Sequence, residues 1–289
     1  KTSPPNGWIK VKNSNWSIDS IVRKTTLISL INDLKDPIYQ TDTYARWNLA
    51  YNTGLFGLYD ELLRYNNTNF NYLKACLDTS LDEGVQIIEF RRGTFGGLFY
   101  FDEKGNEVRI DEKEELRLLT EFKEEYVRNN PRFIDFIFLV YGSRKNSKEI
   151  IKYNLEKTLT LQAIYPDLIR GFDIVGEEDL GHTLLFHRET LLEGLNYSMK
   201  SNGTFGLVFH TAETNWPGDI EPSSIGDDVS TLDNVFDSIL LNTKRVGHGL
   251  GFVKYPSLYP YLIKRDIAIE ICPTSNQILG KDQHFYNFF

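Results

Sequence analysis

The segment from Gly206 to Glu213, with the sequence GLVFHTAE, decides the fold of this chain. Its first four residues predict a short buried strand, and His210 and Glu213 follow where that strand ends. A second apolar run ends in Gly247-His248-Gly249, about 35 residues further on, after a segment of helical periodicity over residues 231–242. Two histidines and a carboxylate beyond the ends of neighbouring parallel strands could bind a cation, move protons and orient the attacking water of a metal-assisted hydrolysis.

Strand-like and helix-like segments alternate on both sides of this segment, as they do in stacked βαβ units. Six stretches predict strands: residues 85–90, 133–140, 169–175 and 206–209, and the stretches that end at Gly247 and Ile271. Five stretches predict helices: residues 58–82, 112–129, 147–165, 189–200 and 231–242. Strands that are apolar along their whole length are typical of a parallel sheet covered on both faces. The pattern fits six strands of an eight-stranded α/β barrel as well as an open doubly wound sheet.

The length of 289 residues suits one large α/β domain better than two small ones. The alternating pattern occupies residues 51–289, whereas residues 1–50 predict an irregular segment with one short helix. The formal net charge of −8 argues against nucleic acid as a partner. Since no run of 18 apolar residues occurs, the sequence also predicts no membrane span.

Four Asn-x-Ser/Thr sequons, at Asn15, Asn66, Asn196 and Asn202, favour a secreted glycoprotein. The sequence begins with Lys1 and has no charged segment leading into an apolar one, so we interpret it as a mature or a partial chain. An extracellular localisation is therefore expected.

Each candidate site residue also has a purely structural interpretation. His210 could be a hydrogen-bonded core histidine, Glu213 a glutamate of a surface loop, and His248 a strand-end histidine bonded to a backbone carbonyl. Their grouping favours the chemical interpretation, in which His210 binds a metal and Glu213 takes a proton from the attacking water. The sequence contains no His-x-His, no His-Glu-x-x-His and no Cys-x-x-Cys, so a complete set of metal ligands is not visible in it.

Four segments together resemble the adenosine deaminase growth factors, the secreted branch of the adenosine deaminases. They are residues 172–182 (FDIVGEEDLGH), residues 209–216 (FHTAETNW), residues 245–249 (RVGHG) and residues 269–279 (IEICPTSNQIL). The last three are similar to His-Ala-Gly-Glu-Thr-x-Trp, Arg-Ile-Gly-His-Gly and Ile-Glu-Val-Cys-Pro-x-Ser-Asn-Gln-Val-Leu of the family. With their order and spacing, the resemblance covers most of residues 40–280.

The resemblance implies a (β/α)8 barrel of the metal-dependent hydrolase kind that holds one zinc ion and hydrolyses adenosine to inosine and ammonia. By this match His210 is a zinc ligand, Glu213 carries the proton to the purine ring, and His248 orients the attacking hydroxide. The Gly176 amide and the Trp47 side chain match positions at the purine pocket. The implied cofactor is therefore zinc, the implied ligand is adenosine or a related nucleoside, and the implied assembly is a homodimer.

The chain departs from the family pattern in four places. The His-x-His of barrel strand one would precede residue 1, and the Ser-x-Asp-Asp-Pro of strand eight would follow Leu279, but the sequence contains neither. Barrel strands one and eight are therefore expected to be missing, and residues 1–50 are interpreted as the tail of a family-specific insertion. Within the chain, Thr211-Ala212 replaces Ala-Gly, and Glu177 replaces a histidine.

Three functions are compatible with these patterns. The first is that of a secreted adenosine deaminase, here incomplete at both ends. The second is a truncated, non-catalytic relative that acts like a growth factor or binds nucleosides. The third is an open-sheet α/β binding protein, which would place His210 and His248 on different faces. The first is favoured because Glu213 and His248 occur together, although the missing motifs predict that these 289 residues alone bind zinc weakly and do not turn over adenosine.

Overall fold

Six strands of the chain form one parallel sheet. The computed structural model describes residues 63–178, 181–213 and 233–272. The strands of these residues are β1 (Ile87–Arg92), β2 (Phe99–Phe101), β3 (Glu107–Arg109), β4 (Asp135–Ser143), β5 (Ile169–Val175), β6 (Gly206–Thr211), β7 (Arg245–His248) and β8 (Ala268–Glu270). β2 and β3 form a separate antiparallel hairpin, and the other six make up the parallel sheet in the order β1-β4-β5-β6-β7-β8.

The order of the strands decides between the two architectures that the sequence pattern left open. In a doubly wound sheet the order reverses at a switch point, whereas in a (β/α)8 barrel each strand lies beside its predecessor. Here the six parallel strands follow one another without reversal, and helices alternate with them. The described residues therefore form a partial (β/α)8 barrel, and the predicted fold class is confirmed.

The helices of the described residues agree closely with the sequence prediction, except that the last of them was not predicted. They are α1 (Asn66–Asp82), α2 (Glu112–Asn129), α3 (Lys148–Ile164), α4 (Arg188–Lys200), α5 (Asn234–Leu240) and α6 (Tyr259–Lys264). Short 3-10 helices cover Leu185–His187, Leu250–Lys254 and Pro256–Leu258. In the described part of the helix predicted over residues 58–82, the helix is interrupted at Tyr65, which forms a bridge with Phe99, and α1 starts at the next residue.

Side-chain caps define where two of the long helices begin. The Asp111 carboxylate accepts a hydrogen bond of 2.9 Å from the Glu114 amide at the start of α2. At the start of α3, the Ser147 hydroxyl accepts one of 3.4 Å from the Ile150 amide. Each cap satisfies an amide that has no partner inside the helix and stabilises the helix by about 1 kcal/mol.

The parallel sheet is strongly curved, because side chains of its first and last strands meet. Neighbouring strands lie about 4.8 Å apart, so in a flat sheet β1 and β8 would be separated by about 24 Å. Instead, Arg91 of β1 and Glu270 of β8 form an ion pair with an N–O distance of 2.6 Å. The six strands thus curl around a common interior, as the strands of a barrel do.

The larger hydrophobic core lies between the helices and one face of the sheet. Its fully buried members come mainly from α1 to α4 and from the strands beneath them, and include Leu77, Leu116, Phe136, Ile151, Leu155, Phe172, Leu191 and Phe209. Each such side chain contributes about 2 kcal/mol through its burial. Because side chains alternate along a strand, Asp173 and His210 point to the opposite, interior face.

Some predictions concern residues outside the described ranges. These are the irregular segment over residues 1–50, the boundary between residues 50 and 51, and Trp47. They stay predictions, and so does the expectation that barrel strands one and eight are missing. Among the residues that the structure describes, no helix has the length and apolarity needed to cross a bilayer.

Helix α5 carries Asp237, whose ionisation opposes folding. Burial, and secondarily the neighbouring Asp233, raise the pKa of Asp237 from 3.8 to about 6. The folded state therefore binds this proton more tightly than the unfolded state, so the stability contribution is complete below about pH 4 and is lost as the pH rises through about 6. We expect Asp237→Asn to raise the melting temperature by about 2 °C at about pH 7.5 and by only about a third of that at about pH 4.5. Calorimetry at both pH values checks this, and equal shifts would contradict it.

Candidate active site

The three residues singled out in the sequence come together at the carboxyl-terminal edge of the sheet. His210 of β6 is in register with Gly247 of β7, and Thr211 is in register with His248. The centres of the His210 and His248 rings are 5.3 Å apart. Nδ1 of His248 lies 3.4 Å from Oε1 of Glu213. The hypothesis of an open-sheet protein with the two histidines on different faces is therefore wrong.

Two glycines make this close arrangement possible. A Cβ atom at Gly247 would lie 3.4 Å from Nδ1 of His210, so a side chain there would press on the ring. At Gly249, whose φ is +67°, a Cβ would come within 2.7 Å of Ile269. His248 itself has a φ of +66°, a left-handed angle that costs a non-glycine residue about 1–2 kcal/mol. Space at the first glycine and a left-handed backbone at the next two residues thus explain the Gly-His-Gly motif.

His210 is held in place by Asp173, a fully buried residue of β5. Oδ2 of Asp173 lies 2.8 Å from Nδ1 of His210, and Oδ1 accepts a hydrogen bond of 3.1 Å from the His210 amide. The carboxylate therefore fixes the orientation of the ring. A carboxylate on one ring nitrogen, with the other nitrogen left for a metal, is the usual arrangement around a metal-bound histidine.

An arginine joins this pair to the opposite side of the barrel interior. Nε of Arg91 lies 2.7 Å from Oδ2 of Asp173, and Nη2 lies 2.6 Å from Oε2 of Glu270. Arg245 of β7 in turn forms ion pairs with Glu270, at 2.9 Å, and with Glu89 of β1. The interior next to His210 is thus a network in which every carboxylate contacts a cation, as buried charges require.

The charges of this network set the protonation of Asp173 and His210. Burial raises the pKa of Asp173, but His210 and Arg91 outweigh that effect and hold the pKa at about 2, below its usual 3.8. Burial lowers the pKa of His210, but the Asp173 carboxylate more than compensates and the net shift is upward. Asp173 is therefore ionised near neutral pH and accepts a hydrogen bond from the Nδ1–H group of His210.

A second buried carboxylate organises the segment that carries Glu213. Glu178 follows β5 and is fully buried. Its Oε1 atom accepts hydrogen bonds from the Thr211 hydroxyl at 3.1 Å, the Ala212 amide at 3.2 Å and the Asn234 side chain at 2.7 Å. Its Oε2 atom accepts one of 2.6 Å from the Glu213 amide. These four donors replace the water that a carboxylate loses on burial.

Ala212 has a left-handed backbone, with a φ of +59°. Glycine, which the resembled family motif has at this position, adopts such an angle without steric cost. The Ala212 carbonyl accepts a hydrogen bond of 2.7 Å from the Gly251 amide, and a Cβ on Gly251 would lie only 3.1 Å from the Ala212 Cβ. A glycine on the facing segment thus leaves room for the methyl group of Ala212.

Arg144, directly after β4, holds the other side of the same segment. Its fully buried guanidinium donates to the His210 carbonyl and, at 3.3 Å, to the His182 carbonyl. A buried cation therefore contacts the carbonyl of His210, while the buried Glu178 contacts the amides that follow it. The backbone between the metal-ligand candidate and the proton-carrier candidate is anchored from both sides.

Gly176 follows β5 at the same edge of the sheet. It is exposed and has a φ of +106°, and a Cβ there would lie 3.8 Å from the Ser143 hydroxyl. The next residue, Glu177, forms an ion pair with Lys145, so the carboxylate that replaces the family's histidine has a cation beside it. Contact between the Gly176 amide and a purine stays a prediction, and Trp47 lies outside the described residues.

The described residues supply one predicted metal ligand, His210. Over residues 63–178, 181–213 and 233–272, no group of three or more histidine, cysteine, aspartate or glutamate side chains could hold a metal ion. The contact with Asp173 suits His210 to act as a single ligand through Nε2. A catalytic zinc site has about three protein ligands, so the others would come from residues outside these ranges.

Sequence patterns single out His210, Glu213 and His248, whereas the residues that hold them were missed. A signal for Asp173 was available, because a carboxylate within the apolar strand over residues 169–175 must be paired when it is buried. Glu178 gave no comparable signal, since a run of acidic residues is typical of a solvated loop.

Known proteins related to the chain in sequence are adenosine deaminases. The adenosine deaminase of Phlebotomus duboscqi is 34% identical over 256 residues, which cover 87% of this chain and 44% of that protein. Adenosine deaminase 2 of Homo sapiens is 28% identical over 271 residues, which cover 93% of this chain and 48% of that protein. The chain is a relative of the adenosine deaminases. It spans about half the length of these relatives, and no protein-family model matches it.

Solved structures share the fold of this adenosine deaminase relative. Arabidopsis ADAL in complex with IMP has a TM-score of 0.56 and 15% identity, and the match covers 92% of this chain and 73% of that chain. An amidohydrolase of Burkholderia ambifaria with bound Zn has a TM-score of 0.51 and 16% identity, and the match covers 75% of this chain and 49% of that chain. At these identities the likeness concerns the fold alone.

Replacing Asp173 tests the importance of the interior charge network. Asp173→Asn removes the carboxylate that pairs with Arg91 and His210. The partly buried guanidinium of Arg91 then lacks one of its two carboxylate partners. We expect a loss of about 3–5 kcal/mol of unfolding free energy in urea. Asp167→Asn is the matched control because the Asp167 side chain is 91% exposed, and its effect should stay within about 0.5 kcal/mol. Equal effects of the two substitutions would contradict the prediction.

Replacing Ala212 tests the cost of its backbone angle. Ala212→Gly should remove about 1–2 kcal/mol of strain, which offsets the lost methyl burial and the greater entropy of the unfolded glycine chain. We therefore expect the unfolding free energy to change by less than about 0.5 kcal/mol. Ala163→Gly, at an exposed position of α3, should instead cost about 1 kcal/mol. Urea unfolding measures both, and a loss at Ala212 above the loss at Ala163 would show that the angle is not strained.

Proposed function

We propose that the full-length protein is an adenosine aminohydrolase, which adds water to adenosine and releases inosine and ammonia. One observation carries the proposal: a carboxylate-oriented histidine, His210, lies beside the Glu213–His248 pair at the carboxyl-terminal edge of the partial barrel. Barrel enzymes have their active sites at this edge. The relationship to adenosine deaminases supports the same reaction.

Glu213 is the proposed proton carrier. Its side chain is nearly buried, and Oε1 lies 3.4 Å from Nδ1 of His248. A carboxylate so placed can take a proton from the attacking water and deliver it to a nitrogen of the purine ring, while the oxygen adds to the carbon that bears the amine. His248 is proposed to orient that water through a hydrogen bond.

Zinc is the proposed cofactor, with His210 as one ligand. A bound zinc ion would make water acidic enough to act as a nucleophile near neutral pH. The contact between Asp173 and Nδ1 of His210 supports this assignment, because it leaves Nε2 for the metal. The zinc in the Burkholderia amidohydrolase supports the choice of metal.

Adenosine or a related nucleoside is the proposed substrate. The IMP bound to Arabidopsis ADAL supports a purine ligand for this fold. The Gly176 amide is proposed to contact the purine, and the exposure and absent side chain of Gly176 make its amide accessible at the correct edge of the sheet. Trp47 is proposed to line the same pocket by its match to the family.

We further propose that the protein is a secreted glycoprotein. Asn196 and Asn202 of the sequons are exposed, and Asn202 lies in a turn after α4 with a φ of +51°. A glycan at Asn202 would therefore extend into solvent. A homodimer and a growth-factor-like activity stay predictions from the family resemblance.

The proposal predicts that the full-length protein converts adenosine to inosine and contains about one zinc ion per chain. Glu213→Gln should lower kcat by about 10²–10⁴-fold, because an amide keeps the shape of the side chain but cannot carry the proton. The change in ultraviolet absorbance from adenosine to inosine gives the rate. Metal analysis of the same sample gives the zinc content.

Glu193→Gln is the matched control, since Glu193 lies on the exposed side of α4 and pairs only loosely with Lys152, at 3.4 Å. Its kcat should equal that of the wild type. A zinc-loaded wild type that does not deaminate adenosine would overturn the proposal, and calorimetric binding of adenosine would then favour the nucleoside-binding alternative. The 289-residue chain by itself is expected to be inactive, and turnover by it would show that its own residues complete the metal site.

A further inference from the structure

We infer that Glu178 is a positioning residue for the deamination: it holds Ala212 in its left-handed conformation and thereby places the Glu213 carboxylate beside His248. The kinetic part of this inference rests on the proposed function. Its structural part makes a prediction that needs no activity. Glu178 acts through the backbone and does not contact the substrate.

The contacts of Glu178 converge on one short piece of backbone. It accepts hydrogen bonds from two consecutive amides, that of Ala212 at 3.2 Å and that of Glu213 at 2.6 Å. Successive amides point to one anion when the backbone combines ordinary and left-handed residues, and Ala212 supplies the left-handed one with its φ of +59°. A return of Ala212 to a negative φ would turn the Glu213 amide away and carry its side chain from His248.

Glu178 is itself fixed by a separate element of the fold. The buried side chain of Asn234, at the start of α5, donates to Oε1 of Glu178 at 2.7 Å and accepts a hydrogen bond of 2.7 Å from the Leu184 amide. On the other side, Arg144 holds the carbonyl of His210. The Gly249 and Gly251 amides bind the carbonyls of Thr211 and Ala212, and Glu178 is the side chain that binds the amides of Ala212 and Glu213.

Glu178→Gln removes one of the four hydrogen bonds of Glu178 selectively. Oε1 serves three donors and Oε2 serves one, the Glu213 amide. The glutamine keeps its oxygen where three donors converge, because the opposite orientation would set its NH₂ group against all three. Its NH₂ group then faces the Glu213 amide, and the bond that fixes Glu213 is the one that is lost.

Glu115→Gln is the matched control. Glu115 is also a fully buried glutamate, accepts a hydrogen bond of 2.7 Å from the Gly96 amide and pairs with Arg92. It lies on α2, and none of its hydrogen bonds or ion pairs involves residues 210–213. The two substitutions thus remove the same buried charge and one backbone hydrogen bond, but only one of them touches the segment that carries Glu213.

In the full-length protein, Glu178→Gln should lower kcat for adenosine by about 10²-fold and change KM by less than about threefold, as expected when a reacting group is misplaced by about 1 Å. Glu115→Gln should leave kcat within about threefold of the wild type. Adding Ala212→Gly to Glu178→Gln should recover at least about fivefold in kcat, because glycine adopts the left-handed angle without the clamp. Adding it to Glu115→Gln should give no recovery.

Amide hydrogen exchange supplies the readout that needs no catalysis. The Glu213 amide should exchange at least about tenfold faster in Glu178→Gln than in the wild type, and at the wild-type rate in Glu115→Gln. Unchanged exchange, or a kcat loss no greater than that of Glu115→Gln, would overturn the inference. If the wild type does not deaminate adenosine, the proposed function fails, and the exchange rates alone decide whether Glu178 holds the segment.

Discussion

The ion pair between Asp173 and Arg91 is the interaction on which the rest of the structure depends. Arg91 stands on the first strand of the sheet, Asp173 on the third, and the same guanidinium reaches Glu270 on the last. These contacts can form only in a curled sheet, so the curvature and the charge network require each other. The same Asp173 carboxylate also orients His210, which couples the closure of the interior to the geometry of the site. The buried Asp173 carboxylate therefore supports both the curvature of the sheet and the orientation of His210.

The site is built from two kinds of residue, those proposed to act and those that hold them. His210, Glu213 and His248 belong to the first kind and occupy strand ends. The second kind, represented by Asp173 and Glu178, is buried and satisfied by several donors. Compared with well-packed apolar side chains, buried carboxylates of this sort add little net stability, but they fix a single arrangement, because any other would leave a charge without partners.

Sequence patterns predicted the six parallel strands, because apolar runs separated by amphipathic helices leave few other folds. They also pointed to the residues proposed to react, since histidines and a carboxylate at the ends of apolar strands are unusual enough to notice. The supporting residues were less visible. In the sequence, Glu178 looks like part of a solvated acidic run over residues 177–179. Its burial becomes visible only in the structure, where residues 211–213, from a distant part of the chain, donate hydrogen bonds to it. Long-range pairing of this kind leaves no local periodicity to read.

The left-handed backbone at Ala212 has a consequence for how this part of the sequence can vary. A position that needs a positive φ is usually restricted to glycine, and a glycine-to-alanine change there would ordinarily disrupt the turn. Here a buried anion secures the angle, and Gly251 leaves space for the extra methyl group. The surroundings of the residue thus stabilise the positive φ, so this position accepts an alanine. A sequence search with a motif that requires glycine at this position would miss chains that form the same turn with another residue.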